Sequence, residues 1–202
     1  MMGPVALKCT ALVTLVFLTL TVTSCGSGQA GPLQALSERG QPIVNGASVQ
    51  VPPGYPADFT AFLFNPLSSP IRLLSAIIVP VTGHFPAARL LHVGIGTSPG
   101  IAGASSGWPL RYVPTRPLAG GLIRHGQSNI IFAVTGPVSG RNYYVAGLKI
   151  GYSYKGHIYY VVAWSAGVAC VTTRYRDPHF DACPGAGERT QTIVENMASH
   201  ST

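Results

Sequence analysis

The feature that most constrains the fold is a strict two-residue alternation between positions 147 and 164. Its two halves are separated by Lys155-Gly156, a dipeptide that favours a two-residue turn. The apolar side chains at alternate positions are Leu148, Ile150, Tyr152 and Tyr154, and then Ile158, Tyr160, Val162 and Trp164. A period of two places such side chains on one face of a strand, so the sequence predicts an antiparallel β-hairpin. Residues 168–171 either continue its second strand past Gly167 or follow a bulge there.

Further apolar runs of strand length are bounded by Gly or Pro. They span residues 43–51, 58–65, 71–81, 89–97 and 128–135. The run 71–81 is so aliphatic that we expect it to be buried on both faces or kinked at Pro80. Gly (24) and Pro (17) are abundant and charged residues make up only 9% of the chain, which favours many short strands. We therefore predict an all-β domain over residues 43–183, an immunoglobulin-like antiparallel β-sandwich of about seven strands; a small barrel is the alternative.

The N-terminus has the pattern of a bacterial export signal. One early cation, Lys8, precedes an apolar stretch that is too short to span a bilayer as a helix. The stretch ends in Val22-Thr23-Ser24-Cys25, which resembles the lipobox of bacterial lipoproteins. The resemblance implies a signal peptide over residues 1–24 and a diacylglycerol thioether on Cys25. The alternative is an ordinary signal peptide that is cut near Ala30.

The layout after this motif is similar to that of uncharacterised actinobacterial envelope lipoproteins. Residues 25–42 are rich in Gly, Ser, Gln and Pro, which predicts a flexible tether between the lipid anchor and the β-sandwich. Residues 184–202 are predicted to be a polar C-terminal tail, in which residues 190–199 can form a short helix. The resemblance implies a location on the extracytoplasmic face of the cell membrane, and it brings no known activity.

The middle of the sequence carries cations without anions. No acidic residue lies between Asp58 and Asp177. The ten cations of that stretch are Arg72, Arg89, Arg111, Arg116, Arg124, Arg141, Lys149, Lys155, Arg174 and Arg176. A domain of this kind carries a positive potential that attracts anionic surfaces at low salt. Because the cations are scattered, the alternative is a charge that serves only solubility, and we predict no nucleic-acid partner.

The cysteines predict one disulfide. Cys170 and Cys183 are the only cysteines of the predicted mature chain besides Cys25. In an oxidising compartment two such cysteines pair. A redox or metal role is disfavoured, because the two are thirteen positions apart and form no CxxC motif.

Tyrosines are concentrated on the predicted hairpin, and two strands cannot hide every aromatic side chain on one face. We predict a binding surface there for a sugar polymer or the edge of a partner protein. Its residues are Arg141, Lys149, Lys155, Tyr152, Tyr154 and Tyr159. The alternative is that both faces of the hairpin are covered by the rest of the domain.

Signals of catalysis and metal binding are weak. Residues 103–107 match the G-x-S-x-G pattern around Ser105, but a nucleophile elbow needs a strand before it and a helix after it. Here a Gly/Ala-rich loop and Trp108-Pro109 flank the motif. The six histidines (His84, His92, His125, His157, His179 and His200) form no close-spaced pair typical of zinc ligands. We predict no catalytic residue, no metal and no cofactor.

The sequence therefore predicts a non-enzymatic binding or structural module of the cell envelope. It would be held in the membrane by acyl chains on Cys25 and would bind an anionic envelope component or a protein partner. One alternative is an envelope carrier of a small ligand or metal, which predicts a concave pocket near residues 98–110 and the histidines. The other is a serine hydrolase, which predicts that Ser105 lies within hydrogen-bond reach of a histidine.

Overall fold

The computed structural model describes residues 31–38, 41–83, 85–86, 88–97, 104–106, 114–138, 141–171, 183 and 185–201. The predicted signal peptide (residues 1–24) and Cys25 lie outside these ranges. The strands are β1 (Gln34–Ala35), β2 (Ser37–Glu38), β3 (Gln41–Pro42), β4 (Asn45–Val51), β5 (Ala57–Asn65), β6 (Ile71–Val79), β7 (Leu90–Gly96), β8 (Ala104–Ser106), β9 (Thr115–Pro117), β10 (Leu122–Ile123), β11 (Gly126–Val134), β12 (Tyr143–Tyr154) and β13 (His157–Val171), and the helix is α1 (Ala186–Ser199).

Two sheets form the body of the domain. The first has the order β1–β5–β11–β7–β9, and β8 also pairs with β5. The second sheet has the order β10–β6–β12–β13–β4. In this sheet β4 runs parallel to β13, and the other neighbouring strands are antiparallel. β2 and β3 form a separate two-stranded hairpin. The all-β sandwich predicted from the sequence is confirmed at this level.

The core lies between the two sheets and is supplied by alternate residues of each strand. From β5 it receives Phe59 and Leu63, and from β12 it receives Leu148 and Ile150, all of them buried. Phe59 packs on Phe132 of β11 with the ring centroids 5.9 Å apart. Each such side chain contributes about 1.5–3 kcal/mol by leaving water. This burial explains why the period-two pattern of the sequence specifies two sheets packed face to face.

The predicted hairpin is confirmed as β12 and β13, with Tyr154 opposite His157. Lys155 and Gly156 both have positive φ, 49° and 80°, the geometry of the tight turns that suit the twist of two antiparallel strands. β13 continues through Gly167 to its end at Val171. The register between the two strands shifts just before Gly167: Val145 pairs with Gly167 and Gly147 with Trp164, so two residues of β13 lie opposite one residue of β12.

The described part of the predicted tether is bound to the domain. The structure differs here from the expected flexible segment over residues 25–42, because β1 pairs with the end of β5. Leu33 is 3% exposed and is part of the core. Its backbone N–H donates to Tyr152 Oη at 3.3 Å. The packing of Leu33 in the core and of Ala35 against the cluster around Trp164 therefore holds this stretch on the domain.

The C-terminal segment is likewise part of the fold. The short helix expected over residues 190–199 is present and begins earlier, at Ala186. It is not a free polar tail: Thr190, Val194 and Ala198 are buried, and Val194 and Ala198 pack on the outer face of the second sheet together with Trp164. Within the described ranges, no helix has the length and apolar character that a membrane crossing requires.

Candidate functional site

The predicted disulfide joins Cys170 to Cys183, with the two Cα atoms 5.9 Å apart. Cys170 lies in β13, and Cys183 precedes α1 by three residues. Both are buried, in a cluster with Val168. The disulfide therefore fixes the start of the helix on the outer face of the second sheet, a structural role.

The predicted tyrosine surface is wrong for Tyr152, which is completely buried. Tyr154 and Tyr159 are half-buried and pack against the same core, and Tyr159 stacks on Tyr152 at 5.6 Å between ring centroids. Burial raises the pKa of the Tyr152 phenol above its usual range. The predicted alternation of the hairpin is confirmed, but these three tyrosines lie on the inner face of the second sheet, which packs against the core.

The outer face of the second sheet carries the exposed side chains of the hairpin. Helix α1 covers its part around Trp164 and Ala166. The remaining part, which we name the open face, consists of Arg72, Ile77, Lys149, Ile158 and Tyr160. Lys149 pairs with Ile77 across β12 and β6, and its Nζ lies 4.9 Å from the centroid of the Tyr160 ring. The aliphatic run of β6 is therefore open on one face, so the first of its two expectations, burial on both faces, is wrong; the strand ends at Val79, directly before Pro80.

The predicted cations are not gathered in one place. Lys149 lies on the open face, whereas Lys155 lies in the hairpin turn with its Nζ 5.3 Å from the centroid of the Tyr154 ring. Arg141 is exposed and precedes the opposite end of β12, a strand of 12 residues. Of the predicted surface, the open face therefore retains Lys149 alone and gains Tyr160 and two isoleucines.

A cleft lies at the edge of the first sheet. The cleft has a volume of about 390 Å³, and it lies where β7 ends and where β9 and β11 begin. We name it the arginine cleft; its lining residues are Gly96, Thr97, Arg116, Arg124, Gln127, Ser128 and Asn129. The carrier alternative predicted a concave pocket near residues 98–110 and the histidines. This cleft begins beside that segment, at Thr97, but no histidine is among its lining residues, and residues 98–103 and 107–110 lie outside the described residues.

Asp58 is the most unusual titratable group of the described residues. It is 1% exposed, and neither carboxyl oxygen has a hydrogen-bond partner within the described ranges. Burial raises its pKa from 3.8 to about 7. Across β5 it pairs with Ser105 on one side and with Ala133 on the other. Ala133 in turn pairs with His92 of the next strand, β7.

The geometry at Ser105 is not that of a nucleophile elbow. Ser105 lies in β8, a three-residue strand, and its buried Oγ has no hydrogen-bond partner among the residues described. The acid in register with Ser105 is Asp58. The histidine contact that a serine hydrolase predicts for Ser105 is not seen among the described residues.

The histidines of the described residues lie apart. His125 contacts Phe64 and His157 contacts Tyr159, while His200 ends α1 with Nδ1 2.6 Å from the Asn196 carbonyl oxygen. His84 and His179 lie outside the described residues. In the described part of the chain, no group of three His, Cys, Asp or Glu side chains is placed to hold a metal ion.

No protein-family model matches the sequence, and no curated protein matches it. The function is therefore argued from the surfaces of this chain, since a fold alone does not define an activity.

Proposed function

We propose that the protein is a lipid-anchored binding module of the cell envelope, which holds an anionic component of the envelope against its open face. The observation that carries the proposal is the exposure of Ile77, Ile158 and Tyr160, which are 59%, 64% and 62% exposed. Ile77 lies on β6, and Ile158 and Tyr160 lie on β13; these two strands flank β12 in the second sheet. Large apolar side chains gathered in this way are typical of interaction surfaces.

The charge of the open face favours an anionic partner. Arg72 and Lys149 lie among the apolar side chains, and every acidic side chain whose position is described lies elsewhere. Glu188 and Glu195 are on α1, and Asp58 is buried in the first sheet. A cation next to an aromatic ring, such as Lys149 over Tyr160, suits a surface that offers both negative charge and apolar contact.

We also propose that the sandwich is immunoglobulin-like, on the evidence of strand order. β1, β5, β11 and β7 correspond to strands A, B, E and D of that fold, and β6, β12 and β13 correspond to C, F and G. The chain departs from antibody domains in its disulfide, which joins β13 to the segment before α1 and not the two sheets. Strand β10 is a further addition at the edge of β6.

The proposed role is non-enzymatic. Asp58 and Ser105 are neighbours in register, but the Oγ of Ser105 has no base in contact in the described structure. Cys25 stays the proposed point of lipid attachment, on the evidence of the lipobox resemblance alone.

The test is co-sedimentation of the chain from residue 26 onward, which contains every described element. It is mixed with isolated cell envelopes, with phosphatidylglycerol vesicles or with phosphatidylcholine vesicles, at increasing NaCl concentration. We expect binding to the envelopes and to the anionic vesicles that weakens as salt is added. Tyr160→Ser and Lys149→Gln each weaken binding, the latter about five-fold, because one cation near an anionic surface contributes about 1 kcal/mol.

Matched controls use the first sheet. Leu91, which is 42% exposed on β7, is changed to Ser, and the exposed Arg89 beside it is changed to Gln. These variants remove the same kind of side chain away from the open face, so we expect wild-type binding from both. Equal losses in the control and open-face variants would refute the open face as the binding surface. Envelope binding that is insensitive to salt would instead identify an uncharged protein partner.

A further inference from the structure

The arginine cleft differs in chemistry from the open face and belongs to the other sheet. Two of its seven lining residues are arginines, Arg116 and Arg124, and none is acidic. No ion pair of either arginine occurs within the described ranges. Two guanidinium groups on one concave surface therefore keep their charge available for a ligand, and a guanidinium is the side chain best suited to the oxygens of phosphate and carboxylate.

The walls of the cleft are held in place before any ligand binds. Nη2 of Arg116 donates a hydrogen bond to the Leu122 carbonyl oxygen at 2.6 Å, which fixes the guanidinium and leaves its other N–H groups free to donate. Both the backbone N–H and the hydroxyl of Thr97 donate to the Pro114 carbonyl oxygen, each at 3.0 Å. A site that is ordered in advance loses less entropy when its ligand binds.

The remaining lining residues are neutral. Gln127 and Ser128 offer an amide and a hydroxyl group at the start of β11, which are the partners that sugar and polyol hydroxyls use. The volume of about 390 Å³ lies within the range of small-ligand sites. Two positive charges match a phosphoryl group, which carries up to two negative charges, better than a single carboxylate.

We infer that the arginine cleft is a binding site for a phosphoryl group carried on a sugar or polyol, with Arg116 and Arg124 binding the phosphate and Gln127 and Ser128 the hydroxyls. The inference is independent of the open face, since no residue is shared between the two surfaces. Such a group occurs on soluble sugar phosphates and on lipid headgroups alike, and the experiment separates these sources.

The test is isothermal titration calorimetry on the full chain in micelles of an uncharged detergent. The soluble probes are glucose 1-phosphate, inorganic phosphate and glucose, and the lipid probe is lysophosphatidylglycerol mixed into the micelles. We expect glucose 1-phosphate to bind more tightly than inorganic phosphate and glucose not to bind. Tighter binding of lysophosphatidylglycerol would assign the ligand to lipid headgroups and tighter binding of glucose 1-phosphate to soluble sugar phosphates; either result supports the site.

The decisive variant is Arg124→Gln, because the Arg124 side chain makes no hydrogen bond that the described fold depends on. We expect it to weaken binding about ten-fold or more, the loss typical of one charge-assisted hydrogen bond. Arg116→Gln should weaken binding similarly, and Arg89→Gln is the matched control with the same change in net charge. Equal losses in Arg124→Gln and Arg89→Gln, or no binding of any phosphorylated probe to the wild type, would overturn the inference.

Discussion

Replacing Asp58 by asparagine removes a buried carboxyl while keeping its shape. In the wild type, burial raises the pKa of Asp58 from 3.8 to about 7, so the folded protein holds this proton more tightly than the unfolded chain does. The free energy of unfolding therefore falls as the pH rises from about 4 to about 7, and it levels off above that range. The asparagine side chain of the variant has no proton to lose and contributes no such fall.

The magnitude follows from the shift. Each pKa unit corresponds to about 1.4 kcal/mol, so a rise from 3.8 to about 7 gives roughly 4 kcal/mol as an upper limit. Relaxation of the protein around a buried charge lowers this figure, and we expect about 2–4 kcal/mol. Asp58→Asn should thus match the wild type near pH 4 and exceed it in stability by that amount at pH 8.

The assay is urea unfolding of both proteins at a series of pH values, from which the difference in unfolding free energy is plotted against pH. Taking the difference cancels the contribution of every titrating group that does not interact with Asp58. Glu195→Gln, on the exposed side of α1, is the matched control and should give a nearly flat difference. A flat difference for Asp58→Asn as well would show that the carboxyl is hydrated or paired, and the reasoning would be refuted.

Three further predictions concern stability and are all measured by urea unfolding. Gly147 has φ 152° beside the register shift between β12 and β13, and a methyl group there would meet the backbone of β13. Gly147→Ala should therefore cost about 2 kcal/mol or more; a cost below about 0.5 kcal/mol would contradict this close backbone contact. Replacing Cys170 and Cys183 by Ala removes a disulfide with a sequence separation of 13, which should cost about 3 kcal/mol, and the reduced wild type should show the same loss. Val194→Ala should cost about 1–3 kcal/mol, because Val194 is buried between α1 and the second sheet. The control Thr192→Ala, at an exposed position of the same helix, should change the stability little. Equal effects of the two substitutions would mean that the helix is not packed on the sheet.

The parts of the fold that the sequence predicted correctly are those specified locally. The hairpin β12–β13 follows from alternation and from one turn dipeptide, which are neighbours in the chain. The disulfide follows from a count of two cysteines. The short helix near residues 190–199 follows from local composition, although its packing on Trp164 depends on a strand about thirty residues away and was not predictable.

The N-terminal segment shows why composition misled the prediction. Residues 31–38 have the Gly, Pro, Ser and Gln content of a linker, and their strand β1 is only two residues long. Its partners Leu63 and Phe64 lie thirty positions further on. A single buried leucine and a short strand pairing carry no periodic signal, so only the assembled sheet reveals that the segment is bound.

The faces of the hairpin could be separated from the sequence but not assigned. Both faces carry aromatic side chains, since Tyr152 and Tyr160 lie on opposite sides. The inner face is determined by the other sheet and the outer face is partly covered by α1, and neither contact is local. The prediction therefore chose the wrong tyrosines while choosing the correct hairpin.

Several separate features meet at one end of the sandwich. The Leu33 N–H donates to Tyr152 Oη, so the N-terminal segment enters beside the turn at Lys155. Asn65 Nδ2 donates to the Ile123 carbonyl oxygen at 3.0 Å, which ties the end of β5 to β10 at this same end. Arg124 of the arginine cleft is the next residue after Ile123.

This arrangement constrains how the proposed anchor would orient the domain. Cys25 and Gly31 are six residues apart, so the chain between them reaches at most about 20 Å at full extension, and the domain cannot move further from a lipid-modified Cys25 than that. The end with the chain entrance, the hairpin turn and the arginine cleft must then lie close to the headgroups. The long flexible tether expected from the sequence would leave the orientation of the domain free. Because residues 31–38 are bound to the domain, the proposed anchor would instead bring the cleft to the layer where phosphoryl groups are most concentrated.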